Sequence, residues 1–208
     1  MATFLSKKGG FKAVKHANGS PYNGQANIYN VTSGTLVPGD VVKIDGTGTA
    51  KGIPTVVAAA SSASENILGV VVGVVNTKLD PVFGSMSSGA ISLDTPQVAS
   101  AGGYVLVADS PDIIYSAEKA AFAATDIGLN LDLSGAAGGN TVGVSNQILT
   151  TTSTGATWKV LGVDTTMQAL DPTVAGQAGY AVPAPGDTNA RVLVLANNHT
   201  YNTPTTAI

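Results

Sequence analysis

Apolar residues along this chain come in short runs or in alternation, and almost nowhere in a sustained helical period. The most hydrophobic run is Ile67-Leu68-Gly69-Val70-Val71-Val72-Gly73-Val74-Val75, whose density of β-branched residues predicts a strand buried on both faces. Its two glycines predict a bulge or a close approach of backbones. Leu129, Leu131 and Leu133 alternate with Asn130, Asp132 and Ser134, the period of a half-buried strand. Further strands are predicted for residues 41–44, 55–59, 103–108, 113–116, 142–149, 158–163 and 190–196.

Turn chemistry punctuates these runs. Pro38-Gly39, Asp45-Gly46 and Asp109-Ser110-Pro111-Asp112 are turn signals, and residues 134–140 form a Gly-rich turn. Residues 76–90, rich in Gly, Ser and Pro, predict a long loop anchored by Phe83 and Met86. Ala117 to Thr125 is the one stretch that predicts a helix, since its residues permit one and no Gly or Pro interrupts it. Residues 1–30 show no sustained period and predict an extended N-terminal arm with local strand character. The expected architecture is therefore all-β. A β-sandwich or β-barrel-like domain of short strands with one short helix spans 31–201, between the arm and a C-terminal tail at 202–208. No fixed-period repeat of solenoid length is visible, which disfavours an array or a propeller.

Composition supports that picture. Of 208 residues 44% are hydrophobic, but only 5% are aromatic and 11% charged, so the core rests on small aliphatic side chains. So sparsely charged a surface implies that part of it is covered by neighbours in an assembly. The formal net charge is −3, and the basic residues are scattered apart from Lys7, Lys8, Lys12 and Lys15. Nucleic acid is not an expected partner, because phosphate affinity scales with clustered cations; the basic quartet fits an acidic protein surface or a solvated arm. No run approaches the ~20 apolar residues of a membrane span, and residues 1–10 lack the apolar core of a signal peptide, so synthesis and residence in a cytoplasm are expected.

Catalytic constellations are missing. There is no cysteine, and the only histidines, His16 and His199, stand near opposite ends of the chain. Ser116-Ala117-Glu118-Lys119 matches S-x-x-K without the companion motifs of that enzyme class. Asn130, Asp132, Ser134 and Gly135 imitate the first half of a calcium loop, but the twelfth position is Thr141 rather than Glu. No catalytic residue, cofactor or metal is expected, and no enzyme activity.

The order of several segments carries a resemblance. Lys15-His16-Ala17-Asn18-Gly19-Ser20-Pro21-Tyr22, Val37-Pro38-Gly39-Asp40-Val41-Val42-Lys43, Gly52-Ile53-Pro54-Thr55-Val56 and Ile67-Leu68-Gly69-Val70 come first. Asp109-Ser110-Pro111-Asp112, Asp126-Ile127-Gly128-Leu129-Asn130-Leu131-Asp132, Val160-Leu161-Gly162-Val163 and Arg191-Val192-Leu193-Val194 follow. In this order they resemble the capsid decoration, or cement, proteins of tailed bacteriophages. The resemblance implies a virion structural protein on the outer surface of the capsid, bound to the major capsid protein and to copies of itself, with a homotrimer preferred. The residues expected at those contacts are Phe4, Lys7, Lys8, Phe11, Lys12, Tyr22, Phe83 and Met86. Two other readings stay open: a tail-fibre, head-fibre or baseplate component, and a carbohydrate-binding module in which Trp158 would be the sugar platform.

Overall fold

The computed structural model describes residues 10–60, 65–75, 85–87, 90–92, 98–139, 145–150, 157–165, 168–169, 180–181 and 184–202. Within them the strands are β1 (Lys12–His16), β2 (Asn27–Val31), β3 (Thr35–Leu36), β4 (Val41–Gly48), β5 (Pro54–Ala58), β6 (Gly69–Val75), β7 (Ser85–Ser87), β8 (Ala90–Ser92) and β9 (Ala99–Ser100). They continue as β10 (Tyr104–Ala108), β11 (Ile113–Ala121), β12 (Asn130–Leu131), β13 (Leu133–Ser134), β14 (Ile148–Leu149), β15 (Trp158–Val163), β16 (Gln168–Ala169), β17 (Tyr180–Ala181) and β18 (Thr188–Ala196). The protein is all-β; the one helical element described is a 3₁₀ turn, Ala124–Asp126.

The first half of the chain closes a five-stranded barrel in the order β10-β2-β5-β4-β6. All its pairs are antiparallel except β2 with β5. Closure leaves no unpaired edge, and Val31, Val42, Val56, Val71, Val105 and Val107 fill one continuous core.

The second half forms a sheet in the order β12-β15-β18-β11-β14-β13, with β1 added on β11. Its two outer strands are consecutive pieces of one chain, separated by Asp132 alone. This sheet therefore also closes, and taking β12 and β13 as one strand gives a second barrel of five.

The two barrels match ladder by ladder. The parallel pair Val31↔Val56 corresponds to Lys119↔Leu149, and Ile44↔Val56 to Leu133↔Leu149. Val41↔Val70 corresponds to Asn130↔Lys159, and Tyr104↔Asn30 to Arg191↔Glu118. Even the irregularity coincides: β6 skips Val72 against β10, and β15 skips Leu161 against β18. The matched turns carry glycine in the left-handed region, Gly39 with Gly128 (φ 95° and 85°) and Gly46 with Gly135 (φ 79° and 87°). The chain is thus an internal duplication with a spacing near 90 residues, too long and too diverged to appear as a solenoid repeat.

Three expectations are corrected. Residues 117–121 continue strand β11 rather than a helix, because pairing with β18 on one side outweighs the helix tolerance of Ala, Glu and Lys. The described part of the arm expected at 1–30 is built into the fold: β1 pairs with β11, and Asn27 begins the barrel strand β2. Leu131 and Leu133 are buried as the alternation predicts, yet Leu129 is 43% exposed and Asp132 is buried, because the chain there passes from one ladder to the next.

Candidate functional site

The seam between the barrels is built from both. Phe11 stacks on Trp158 with ring centroids 4.7 Å apart, and Tyr115 meets Trp158 edge-on at 5.6 Å. Val41, Ile67, Val70 and Ala108 of the first barrel share this core with Leu131, Val160 and Val194 of the second. Hydrogen bonds reinforce it. Phe11 N–H donates to Gly39 O (3.0 Å), Gly138 N–H to Asp40 Oδ2 (2.8 Å) and Val41 N–H to Gln147 Oε1 (2.6 Å). Burial raises the pKa of Asp40, while the Ser145 hydroxyl and the Gly138 and Val37 amides oppose that rise.

Two buried polar clusters lie on the central strand β11. Ser116 Oγ donates to Asp164 Oδ2 (2.5 Å) and accepts from Arg191 Nε (2.9 Å). Arg191 Nη2 also donates to Ser116 O (2.6 Å) and to Gly10 O (3.1 Å), so the guanidinium anchors the entry of the N-terminal segment. Burial lowers the pKa of that guanidinium, opposed by the nearby Glu118 and Asp164 charges. Lys119, fully buried, pairs with Asp126 (3.1 Å) and donates to Ala121 O. Ser116 and Lys119 sit three residues apart on a strand and therefore face opposite sides, so the S-x-x-K spacing assembles no catalytic pair.

At one end of the first barrel, Asp109 accepts from Asn27 Nδ2 on both oxygens (3.1 and 2.9 Å) and from Tyr29 OH (2.6 Å). Tyr29 OH also lies 3.0 Å from Tyr201 OH. Burial raises the pKa of Tyr29 far above its ordinary value, and the hydrogen bonds to Asp109 and Tyr201 add to that. Above this cluster is a cleft of about 540 Å³ lined by Gln25, Asn27, Asp109, Ser110, Pro111 and Tyr201. Beside it, Ser110 Oγ donates to Asp112 Oδ1 (2.5 Å) and His16 Nδ1 lies 3.1 Å from Asp112 Oδ2. The Ser110 hydroxyl bond and His16 hold the Asp112 pKa below its ordinary value. The carboxylate sits between Ser110 and His16, the reverse of the order in which a histidine activates a serine. The arrangement ties β1 to the β10–β11 turn.

The residues expected at partner contacts fall in different places. Phe11 is 2% exposed and belongs to the seam, a correction caused by its stacking on Trp158. Lys12 is exposed at the start of β1. Tyr22 is half-buried, packs against the seam core and donates its hydroxyl to Gln25 O (2.7 Å). Met86 stands opposite Ile91 in the antiparallel β7–β8 pair. Phe4, Lys7, Lys8 and Phe83 lie outside the described residues. Sequence reasoning missed an apolar edge on the second barrel: Ile127, Leu129 and Leu161 are 51%, 43% and 40% exposed. They are neighbours, since Gly128 N–H donates to Val160 O (2.8 Å) and Val160 N–H to Leu129 O (2.9 Å). The alternation of Leu129 with Leu131 and Leu133 concealed the first of them as a core residue.

Among the described residues there is no group of three or more His, Cys, Asp or Glu able to hold a metal ion. Nor, among them, is any helix long and apolar enough to cross a membrane. Fold and polar groups together define a tandem five-stranded β-barrel protein. Comparison with known proteins finds no family model, no curated protein and no solved structure that matches the chain.

Proposed function

We propose that this is a non-catalytic virion structural protein, a capsid decoration or cement protein of a tailed bacteriophage that binds the major capsid protein lattice. The observation that carries a structural role is the use of the polar groups. Ser116, Asp164 and Arg191 tie strands and the N-terminal entry together, Lys119 on β11 forms a buried ion pair with Asp126 of the 3₁₀ turn, and Ser110, Asp112 and His16 fasten β1. These bonds rigidify one two-barrel body instead of arming a nucleophile. The ordered sequence resemblance supports the capsid as the partner, and sparse surface charge suits burial in an assembly.

The proposed capsid contact is the segment preceding Gly10, with Phe4, Lys7 and Lys8, together with the exposed Lys12. Every described strand begins after residue 9, so removing residues 1–9 deletes none of them. The truncated protein is expected to unfold at the parental temperature and to lose co-sedimentation with particles that lack the wild-type chain. Undiminished co-sedimentation would place the contact elsewhere.

Glycan contact is a second reading with one observation in its favour. Tyr201, 56% exposed, is an aromatic face beside the amides and carboxylate of the cleft. Trp158 cannot serve as the platform, since it is fully buried. Binding on a glycan array that disappears with Tyr201→Ala would favour this reading, and an array without signal would remove it.

A further inference from the structure

The duplication makes the two barrels directly comparable, and they differ in what covers one edge. In the first barrel the edge at residues 38–41, with the bulge residue Val72, is covered by the second barrel and by the N-terminal segment at Phe11. Asp40 is fully buried and accepts from Gly138, Val41 donates to Gln147, Gly39 accepts from Phe11, and Val72 packs against the seam core. The matching positions in the second barrel are Ile127, Gly128, Leu129 and Asn130, with Leu161 as the bulge. Here the same edge is bare, and its three large side chains are the exposed Ile127, Leu129 and Leu161.

The contact inside the chain joins unlike surfaces. It sets the edge of the first barrel against the side of the second that carries Gly138, Ser145 and Gln147. A contact of unlike surfaces leaves one of each unused, and repeating it between copies generates a ring or a filament. One unused surface is the Ile127–Leu129–Leu161 edge. The other is the first-barrel counterpart of the side carrying Gly138, Ser145 and Gln147, which the register Gly46/Gly135 and Val56/Leu149 identifies as the hairpin at residues 46–54, with Ala50, Lys51 and Gly52 exposed at its tip.

We infer that copies of this chain associate head to tail, the Ile127–Leu129–Leu161 edge of one copy being covered by the residue 46–54 hairpin side of the next. Val41 and Val70, permanently covered in the first barrel, are replaced by Asn130 and Lys159 in the second. Polar residues at those positions suit a surface that is wetted before it is covered, while the three flanking apolar side chains supply the area to bury. Pro54 stands where Gln147 does, so the contact between copies lacks that side-chain hydrogen bond and is weaker than the one within the chain.

The inference is independent of the capsid reading, because it is tested on the purified full-length chain with no particle present. Sedimentation velocity from micromolar to near-millimolar concentration is expected to show masses rising in whole-chain multiples. The Leu129→Asp/Leu161→Asp double variant is expected to associate at least about tenfold more weakly. Its thermal midpoint should fall only modestly, and far less than for a core substitution, since Leu129 and Leu161 are already 43% and 40% exposed in the single chain. The chain has no cysteine, so Lys51→Cys and Leu129→Cys each introduce a single thiol. Mixed and mildly oxidised, they are expected to give the crossed 51–129 disulfide as the main product. A chain that stays single at every concentration, association that survives the double variant, or a dominant 129–129 disulfide would each overturn the inference.

Discussion

The two barrels share topology, register and bulge, yet the same end is finished with opposite chemistry. In the first barrel Asn27, Tyr29, Gly69 and Asp109 meet there, with Tyr201 added, and the end is polar and hydrogen-bonded. Their counterparts in the second are Tyr115, Ala117, Trp158 and Ala196, and that end is an aromatic plug completed by Phe11. The interiors stay aliphatic at Val42/Leu131, Ile44/Leu133, Val56/Leu149, Val71/Val160 and Val105/Val192, with one exception, Val31/Lys119. Closure of a small barrel constrains inward volume and backbone register, whereas its ends meet different surroundings and are free to diverge.

The largest effect is expected at Gly69. A Cβ there would lie 2.0 Å from Ala108 O, a clash with backbone of the neighbouring strand. Gly69→Ala should prevent the first barrel from closing, seen as loss of the cooperative unfolding transition in circular dichroism, although Trp158 fills the equivalent place in the second barrel. A native-like transition would mean that the two ends are interchangeable after all.

The plug and the polar end can then be weighed against each other by urea denaturation. Trp158→Ala should cost about 3–5 kcal/mol, the sum of lost burial and cavity. Asp109→Ala should cost about 1–3 kcal/mol, because it removes the charged acceptor shared by the Tyr29 hydroxyl and the Asn27 amide and leaves Tyr29 only its contact with Tyr201. The reverse ranking would show that the first barrel depends on its polar end more than the second does on its plug.

The Val31/Lys119 difference is open to the same approach. Lys119→Val alone leaves Asp126 buried without its cation and should cost about 3–5 kcal/mol. Adding Asp126→Asn, which keeps an acceptor for the Ala123 amide, should recover most of that loss. No recovery in the double variant would mean that the cation itself, not pairing, stabilises the barrel.

The smallest effect is a pH dependence confined to the first barrel. Burial lowers the pKa of His199 below its ordinary 6.5. As pH falls through 6.5 the unfolded chain takes up a proton that the folded state resists, so stability is present above this range and declines below it. The decline cannot exceed about 1.4 kcal/mol per pH unit from one group. Urea midpoints measured from neutral pH into this range should fall, and His199→Asn should flatten the slope; an unchanged slope would assign the effect to another group.

By itself the sequence determined the class of structure and the run of its strands. Periodicity and turn chemistry placed β4, β6, β10, β15 and β18, because these are local signals carried by β-branched runs and by Pro-Gly and Asp-Gly pairs. The missing thiols and scattered histidines were equally plain. The duplication was present only as fragments, Gly39-x-x-Val42-x-Ile44-x-Gly46 against Gly128-x-x-Leu131-x-Leu133-x-Gly135 and Val105-Leu106-Val107 against Val192-Leu193-Val194, patterns any β protein can show. Tertiary structure alone decided that they are equivalent, since ladder register is a relation between distant residues. It also decided that residues 117–121 extend a strand, that Phe11 lies in the seam, and that Leu129 faces water while Leu131 does not. In each case the side chain's own preference is weak, and the outcome follows from which surface the rest of the chain brings against it.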